Sequence, residues 1–201
     1  MGHDVAVEAE RPNRFYSRIR IGVGMDFLPY FHKNVARIKL VDKQRSWFMK
    51  AINTCLTITN ALKITNIQRF LTNYGTTIGH TIYDSPAWTW SSPMTPHMFH
   101  ELTHVMQWRF KYAMRYLLNS KWRAHYESVC IQTEWAMFPK LVNAESIVAR
   151  AQNLAGYGIK YSTALVMLNN RAKELELGIL QKEARKMRAE YEAWKYEQGL
   201  E

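Results

Sequence analysis

The sequence predicts a mostly helical α+β fold, and three observations carry that prediction. Apolar residues recur at helical spacing over about 96–118. Short segments near 18–24 and 35–41 alternate apolar and polar side chains as strands do. The tail from about 163 to 198 is rich in Ala, Leu, Glu, Lys and Arg, with opposite charges three or four residues apart. A chain of 201 residues, 47% hydrophobic and 13% aromatic, is long enough to bury the core of one domain.

Taken in order, residues 1–16 read as a flexible N-terminal arm. They are polar and charged with no apolar stretch of the signal-peptide kind, and no twenty-residue apolar span follows anywhere. The expected location is therefore the cytoplasm of the producing cell, or a virion if a phage encodes the chain. The run Arg18-Ile-Arg-Ile-Gly-Val-Gly24 forms a short strand ending at glycine, and Val35 to Val41 forms a second, basic one. Ser46 to about Leu62 is helical, with Trp47, Ala51, Cys55 and Ile58 on one face and threonines that lower its propensity. Residues 66–72 extend that helix or begin another.

Ser92-Pro93 and Thr95-Pro96 supply a hydroxyl N-cap and a first-turn proline for the helix at 96–118, whose buried face carries Phe99, Leu102, Met106, Phe110, Ala113 and Leu117. Asn119-Ser120 breaks that pattern and caps a further helix over about 121–138. Another runs from Phe138-Pro139 to Leu154, and Gly156-Tyr157-Gly158 marks a turn. The charged tail reads as one long exposed helix, which divides the chain into a domain at 17–160 and a helix at 161–201.

The chemistry concentrates in His100-Glu101-Leu102-Thr103-His104. Residues four apart on a helix share a face, so His100 and His104 present two imidazoles to one Zn²⁺ at about 2.0–2.1 Å. Glu101, one step round the helix, is placed to act as general base on a water that the metal activates. A catalytic zinc keeps three protein ligands, so a third is expected from the following helix. Glu127 and Glu134, seven residues apart, fall on nearly the same face of it, and only one is expected to meet the metal. His125 lies on another side. His97, in the first turn, reads as an exposed polar residue. A tetrahedral oxyanion also needs a donor, for which the hydroxyl of Tyr126 heads a group that includes Tyr116, His125 and Arg123.

His-Glu-Leu-Thr-His-Val-Met-Gln, followed a helix later by Arg123-Ala-His-Tyr-Glu127-Ser-Val-Cys130, resembles the gluzincin branch of the zincin metallopeptidases, of the small kind common in bacterial and phage genomes. The resemblance covers about residues 70–138. It implies a zincin-like fold with His100, His104 and Glu127 as zinc ligands, Glu101 as base, and Cys130 where a small alanine is common. It also implies that 76–84 is the edge strand beside the cleft, on which an extended peptide substrate lies. Were His125 the third ligand, the site would be similar to the three-histidine centre of DNA–protein crosslink proteases, but Tyr126 stands where their glycine follows.

The net charge of +10 belongs wholly to residues 1–170, because Arg171 to Glu201 contain seven basic and seven acidic residues. Arg11, Arg14, Arg18, Arg20, Lys33 and Arg37 lie in the basic first quarter, which favours an anionic partner such as nucleic acid or an acidic protein. Cys55 and Cys130 lack metal-type spacing and suit a reducing interior. Two readings follow. One is a zinc-dependent peptidase. The other is an interaction or structural module, a phage-particle component or host-factor inhibitor, whose tail helix mediates assembly.

Overall fold

The computed structural model describes residues 27–61, 75–84 and 96–200. The arm at 1–16, the strand expected at 18–24, the segment 66–72 and the caps at Ser92 and Thr95 lie outside them. The described part is mostly helical with one small mixed sheet, in agreement with the α+β expectation. None of its helices is long and apolar enough to cross a membrane.

Helix α1 (Phe27–Asn34) buries Phe27, Leu28 and Phe31 on one face and carries Lys33 in its last turn, a cation suited to the negative end of its dipole. Strand β1 (Lys39–Asp42) follows. Ser46 Oγ accepts from the Met49 N–H at 3.3 Å and caps α2 (Trp47–Ala61). Strands β2 (Thr76–Ile78) and β3 (Thr81–Asp84) are the arms of a hairpin whose two-residue turn carries Gly79 at φ 63°, a conformation that glycine adopts without a Cβ clash. The sheet order is β1-β3-β2. β3 runs parallel to β1, with Lys39 opposite Thr81, and antiparallel to β2, with Thr77 opposite Ile82. The segment expected as one edge strand is thus two strands. Of these two, β3 is central and β2 is outer, because the Gly79-His80 turn folds the chain back on itself while β1 flanks β3 on the other side.

Helix α3 (Pro96–Gln107) opens on proline and buries Met98, Phe99, Leu102 and Val105. The expected helix 96–118 breaks after Gln107. Arg109 takes an extended backbone (φ −152°, ψ 157°), and α4 (Phe110–Leu118) sets off in a new direction. Asn119 then caps α5 (Ser120–Met137), its side chain accepting from the N–H groups of Lys121 and Trp122 at 3.0 and 3.2 Å. Pro139 starts a 3₁₀ turn at 139–141, and Asn143 caps α6 (Ala144–Ala155) through Ser146 N–H at 2.8 Å. Gly158 (φ 91°) leads into α7 (Tyr161–Glu176), and α8 (Lys182–Glu197) follows a turn containing Gly178 at φ 71°.

The single long exposed tail helix is corrected on two counts. The turn at 177–181 breaks it, and both halves bury a face: Ala164, Leu168 and Ala172 on α7, Ala184, Met187 and Trp194 on α8. The tail therefore belongs to the core. Phe27, Phe31, Ile82, Phe99, Leu102, Met187 and Trp194 form one cluster that joins α1, β3, α3 and α8. Ile131, Trp135, Ala151, Leu154, Ala164 and Leu168 form another between α5, α6 and α7. Fully burying each large apolar side chain contributes roughly 1.5–3 kcal/mol.

Helix α5 stands between these layers and is buried without interruption from Glu127 to Trp135, five of those residues being polar. Buried polar groups must be hydrogen-bonded, and these bond in two directions. On one side Ser128 and Gln132 hold the α7–α8 turn. Arg171 Nε donates to Ser128 Oγ (3.2 Å), Gln132 Nε2 to Glu174 (3.1 Å), and Gln181 N–H to Gln132 Oε1 (2.9 Å). On the other side Glu127, Cys130 and Glu134, at i, i+3 and i+7, face α3, which packs along α5.

Candidate metal centre

His100 and His104 project from α3 one turn apart, with ring centroids 5.0 Å from each other. Their Nε2 atoms converge on one carboxylate: His100 Nε2 lies 3.0 Å from Glu127 Oε2, and His104 Nε2 lies 3.4 Å from Glu127 Oε1. The Nδ1 atoms point away and are anchored. His100 Nδ1 meets Glu134 Oε1 at 2.6 Å, and the other oxygen of Glu134 accepts from Arg150. His104 Nδ1 has Gln107 Oε1 and Tyr112 Oη at 3.1 Å each. Both rings are thereby fixed in orientation with the same nitrogen presented forward, the pattern of metal-ligating histidines whose second nitrogen is held by a carboxylate or other polar group.

Cys130, one turn beyond Glu127, brings Sγ to 3.4 Å from His104 Nδ1 and 3.7 Å from Nε2. The ligand atoms of His100, His104 and Cys130 all lie within 4.8 Å of one another, close enough to hold one metal ion. The donor chemistry fits such an ion, since imidazole, carboxylate and thiol are gathered in a buried pocket where an unpaired charge would be costly.

The electrostatics follow from this crowding. Burial alone would lower the pKa of His100, but hydrogen bonds and attraction from Glu127 and Glu134 outweigh it and push it up to about 10. Burial alone would raise Glu127, yet His104 and His100 hold its carboxyl well below the usual range. Burial and then the Glu127 charge push up the hydroxyl of Tyr116, which donates to Glu127 Oε1. The Cys130 thiol is raised first by burial and then by Glu127 and Glu101. A bound cation would invert that balance, because it stabilises a coordinating thiolate outright.

Glu101, 3% exposed, sits on the side of α3 that meets β2. Thr77 Oγ1 donates to its Oε2 at 2.5 Å, and His97 Nε2 lies 3.8 Å from its Oε1. His97 is not the exposed first-turn residue expected. Its side chain is 16% exposed, its ring stacks 6.4 Å from that of His100, and burial lowers its pKa. Backbone at Gly75 passes so close that a Cβ there would stand 2.4 Å from Glu101 Oε1 and 2.6 Å from the His97 ring.

The structure therefore brings together His100, His104 and Glu127, with Glu101 on the neighbouring face. Glu134 stands behind His100, at Nδ1. His125 lies elsewhere, its Nδ1 3.4 Å from Arg171 and its ring against Trp122. The Tyr126 ring packs at a tilt against Tyr112, centroids 4.6 Å apart, and its carbonyl accepts from Gln107 Nε2, so the tyrosine hydroxyl at Glu127 is that of Tyr116. Arg123 Nε donates to the Tyr116 carbonyl at 2.8 Å. Sequence reasoning missed Gln107, Tyr112 and Arg150. Gln107 had a signal in its i+3 spacing from His104, whereas Tyr112 is brought back only by the break after Gln107 and Arg150 comes from α6, so neither of these had one. No protein-family model matches the chain, and comparisons with curated proteins and with solved structures return no match for it.

Proposed function

We propose that this chain is a zinc-dependent metallopeptidase of gluzincin type, hydrolysing peptide bonds, with a zincin-like arrangement of α3, α5 and the sheet. The observation that carries this reading is the convergence of the two anchored Nε2 atoms on the Glu127 carboxylate. His100, His104 and Glu127 would hold the metal. Zinc in such a set supplies Lewis acidity and lowers the pKa of water from 15.7 to about 7. Glu101 accepts the proton of the attacking water and returns it to the leaving nitrogen. Thr77 holds that carboxylate by donating to its Oε2, and the His97 ring lies beside its other oxygen. Tyr116, hydrogen-bonded to Glu127, is the donor best placed for the developing oxyanion, ahead of Tyr126. An extended peptide pairs with β2, whose Thr77 ties the strand to the base.

Metal analysis of the purified chain and of Glu127→Ala tests the ligand set. About one zinc per chain, lost in the variant, is expected, and a wild type that takes up no metal from micromolar zinc would sink the reading. Glu101→Gln tests the chemistry: metal should remain while hydrolysis falls by about 10²–10⁴-fold.

The second reading, an interaction or structural module, draws on one observation: Arg150, Glu134, His100, Glu127 and Tyr116 are already joined by hydrogen bonds into a buried chain. If partner binding or assembly is unchanged in Glu101→Gln, that module is the biological role.

A further inference from the structure

Helix α4 gives the metal centre only one of its faces. Tyr112 and Tyr116 reach inward to His104 and Glu127, whereas Lys111, Met114, Arg115 and Leu118, at i, i+3, i+4 and i+7, share the outward face. Lys121 and Trp122 extend that face across the Asn119 cap, because the Arg115 guanidinium lies over the Trp122 ring at 4.3 Å and so joins the end of α4 to the first turn of α5. Met114 is 43% exposed, Leu118 76% and Trp122 38%. A single apolar residue in water is ordinary, but here three lie together among cations. Between Glu101 and Glu127 the chain holds five lysines and arginines and no aspartate or glutamate. Lys111, Arg115 and Lys121 enter no ion pair among the described residues.

The patch therefore combines cations that no acid answers with apolar side chains held out in water. A nucleic-acid backbone answers only the first, since its phosphates give Met114 and Leu118 nothing apolar to bury against. An anionic bilayer answers both. Its headgroups attract the cations, its acyl boundary accepts the leucine and methionine, and a tryptophan suits the layer between them.

We propose that the outward face of α4 and the first turn of α5 form a docking surface for an anionic lipid membrane, with α4 lying in the plane of the interface and Leu118 inserted. The proposal goes beyond the hydrolytic reading and is independent of it, because the surface needs no metal. Docking would hold the candidate metal centre about one helix diameter, roughly 10–12 Å, from the lipid.

Vesicle sedimentation of the full-length chain tests this, using vesicles of phosphatidylcholine alone or of equal parts phosphatidylcholine and phosphatidylglycerol. Wild type should bind the mixed vesicles and not the neutral ones. A chain of net charge +10 is drawn to any anionic surface, so the variants decide. Leu118→Ser, which leaves the charge unchanged, should weaken binding about tenfold. Lys111→Glu with Lys121→Glu should weaken it by at least about tenfold, while the same charge change on α8, Lys182→Glu with Lys186→Glu, should cost no more than about threefold. All four lysines and Leu118 are exposed, so the melting temperature should not move. Equal losses in the two double variants, or full binding by Leu118→Ser, would reduce the effect to net charge and overturn the proposal. Absence of vesicle binding would overturn it too, and duplex DNA binding lost in the Lys111/Lys121 variant would then assign the patch to nucleic acid.

Discussion

Glu134 and Glu127 have the same chemistry and nearly the same helical face, but they meet different nitrogens of the same imidazole. Glu127 is in front of His100 and His104 at their Nε2 atoms, while Glu134 is behind His100 at Nδ1 and is itself gripped by Arg150. Their replacements should therefore differ in kind. Glu127→Gln removes a charged ligand and should abolish stoichiometric metal binding. Glu134→Gln keeps the ligand set but loosens the ring and lowers its basicity, which typically weakens metal affinity by about 10–100-fold. Competition against a chromophoric chelator measures both. Equal losses in the two variants would place Glu134 in the coordination sphere and contradict the assignment. Arg150→Met should reproduce the weaker effect, since it leaves the Glu134 charge buried with one partner fewer.

At the scale of elements, the contact between β2 and α3 is what brings the strand to the base. Gly75 leaves no room for a side chain there, and the atoms in the way are the far ends of Glu101 and His97 rather than backbone. Gly75→Ala should accordingly move the carboxylate more than it destabilises the fold. Hydrolysis should fall by at least tenfold while the melting temperature changes by no more than a few degrees. A large drop in melting temperature would mean that β2 itself is displaced. This contact was not legible in the sequence, because Gly75 and Glu101 are 26 residues apart and no local pattern joins them. What was legible had local physics behind it: the His100/His104 spacing, the Asn119 cap, Pro96 at the start of α3 and the turn at Gly156–Gly158. The breaks at Trp108-Arg109 and at 177–181 were not read. The first contains neither Gly nor Pro. The second has a single Gly178 within a run whose charge pairs support a helix on either side. The first of these breaks turns α4 so that Tyr112 and Tyr116 reach His104 and Glu127, contacts that one continuous helix would not supply.

For the whole molecule, α5 couples the two core clusters, and its polar residues tie each side of it to a different neighbour. Gln132 secures the α7–α8 turn through Glu174, Ile179 and Gln181. Gln132→Ala removes the three hydrogen bonds that this buried side chain makes to partly exposed partners, so it should destabilise the fold by about 1–3 kcal/mol in urea titrations while leaving metal affinity within a factor of a few. Acidity acts on the opposite face, and its sign can be worked out for chelator-treated protein. His100 is raised from 6.5 to about 10 in the fold, so its stabilising share is complete below pH 6.5 and is lost as pH rises towards 10. Glu127 is held below 4.5, so its share is complete above that value and is lost as pH falls through its lowered pKa. The metal-free protein should then be most stable between about pH 4.5 and 6.5 and weaken above it. A metal must displace the proton from His100, so its affinity should rise with pH over the range in which the bare site is losing stability. Melting temperatures with and without zinc, followed from pH 6 to 9, should therefore diverge, the gap widening with each step. A gap that stays constant or narrows would show that His100 does not exchange its proton for the ion, and would remove it from the ligand set.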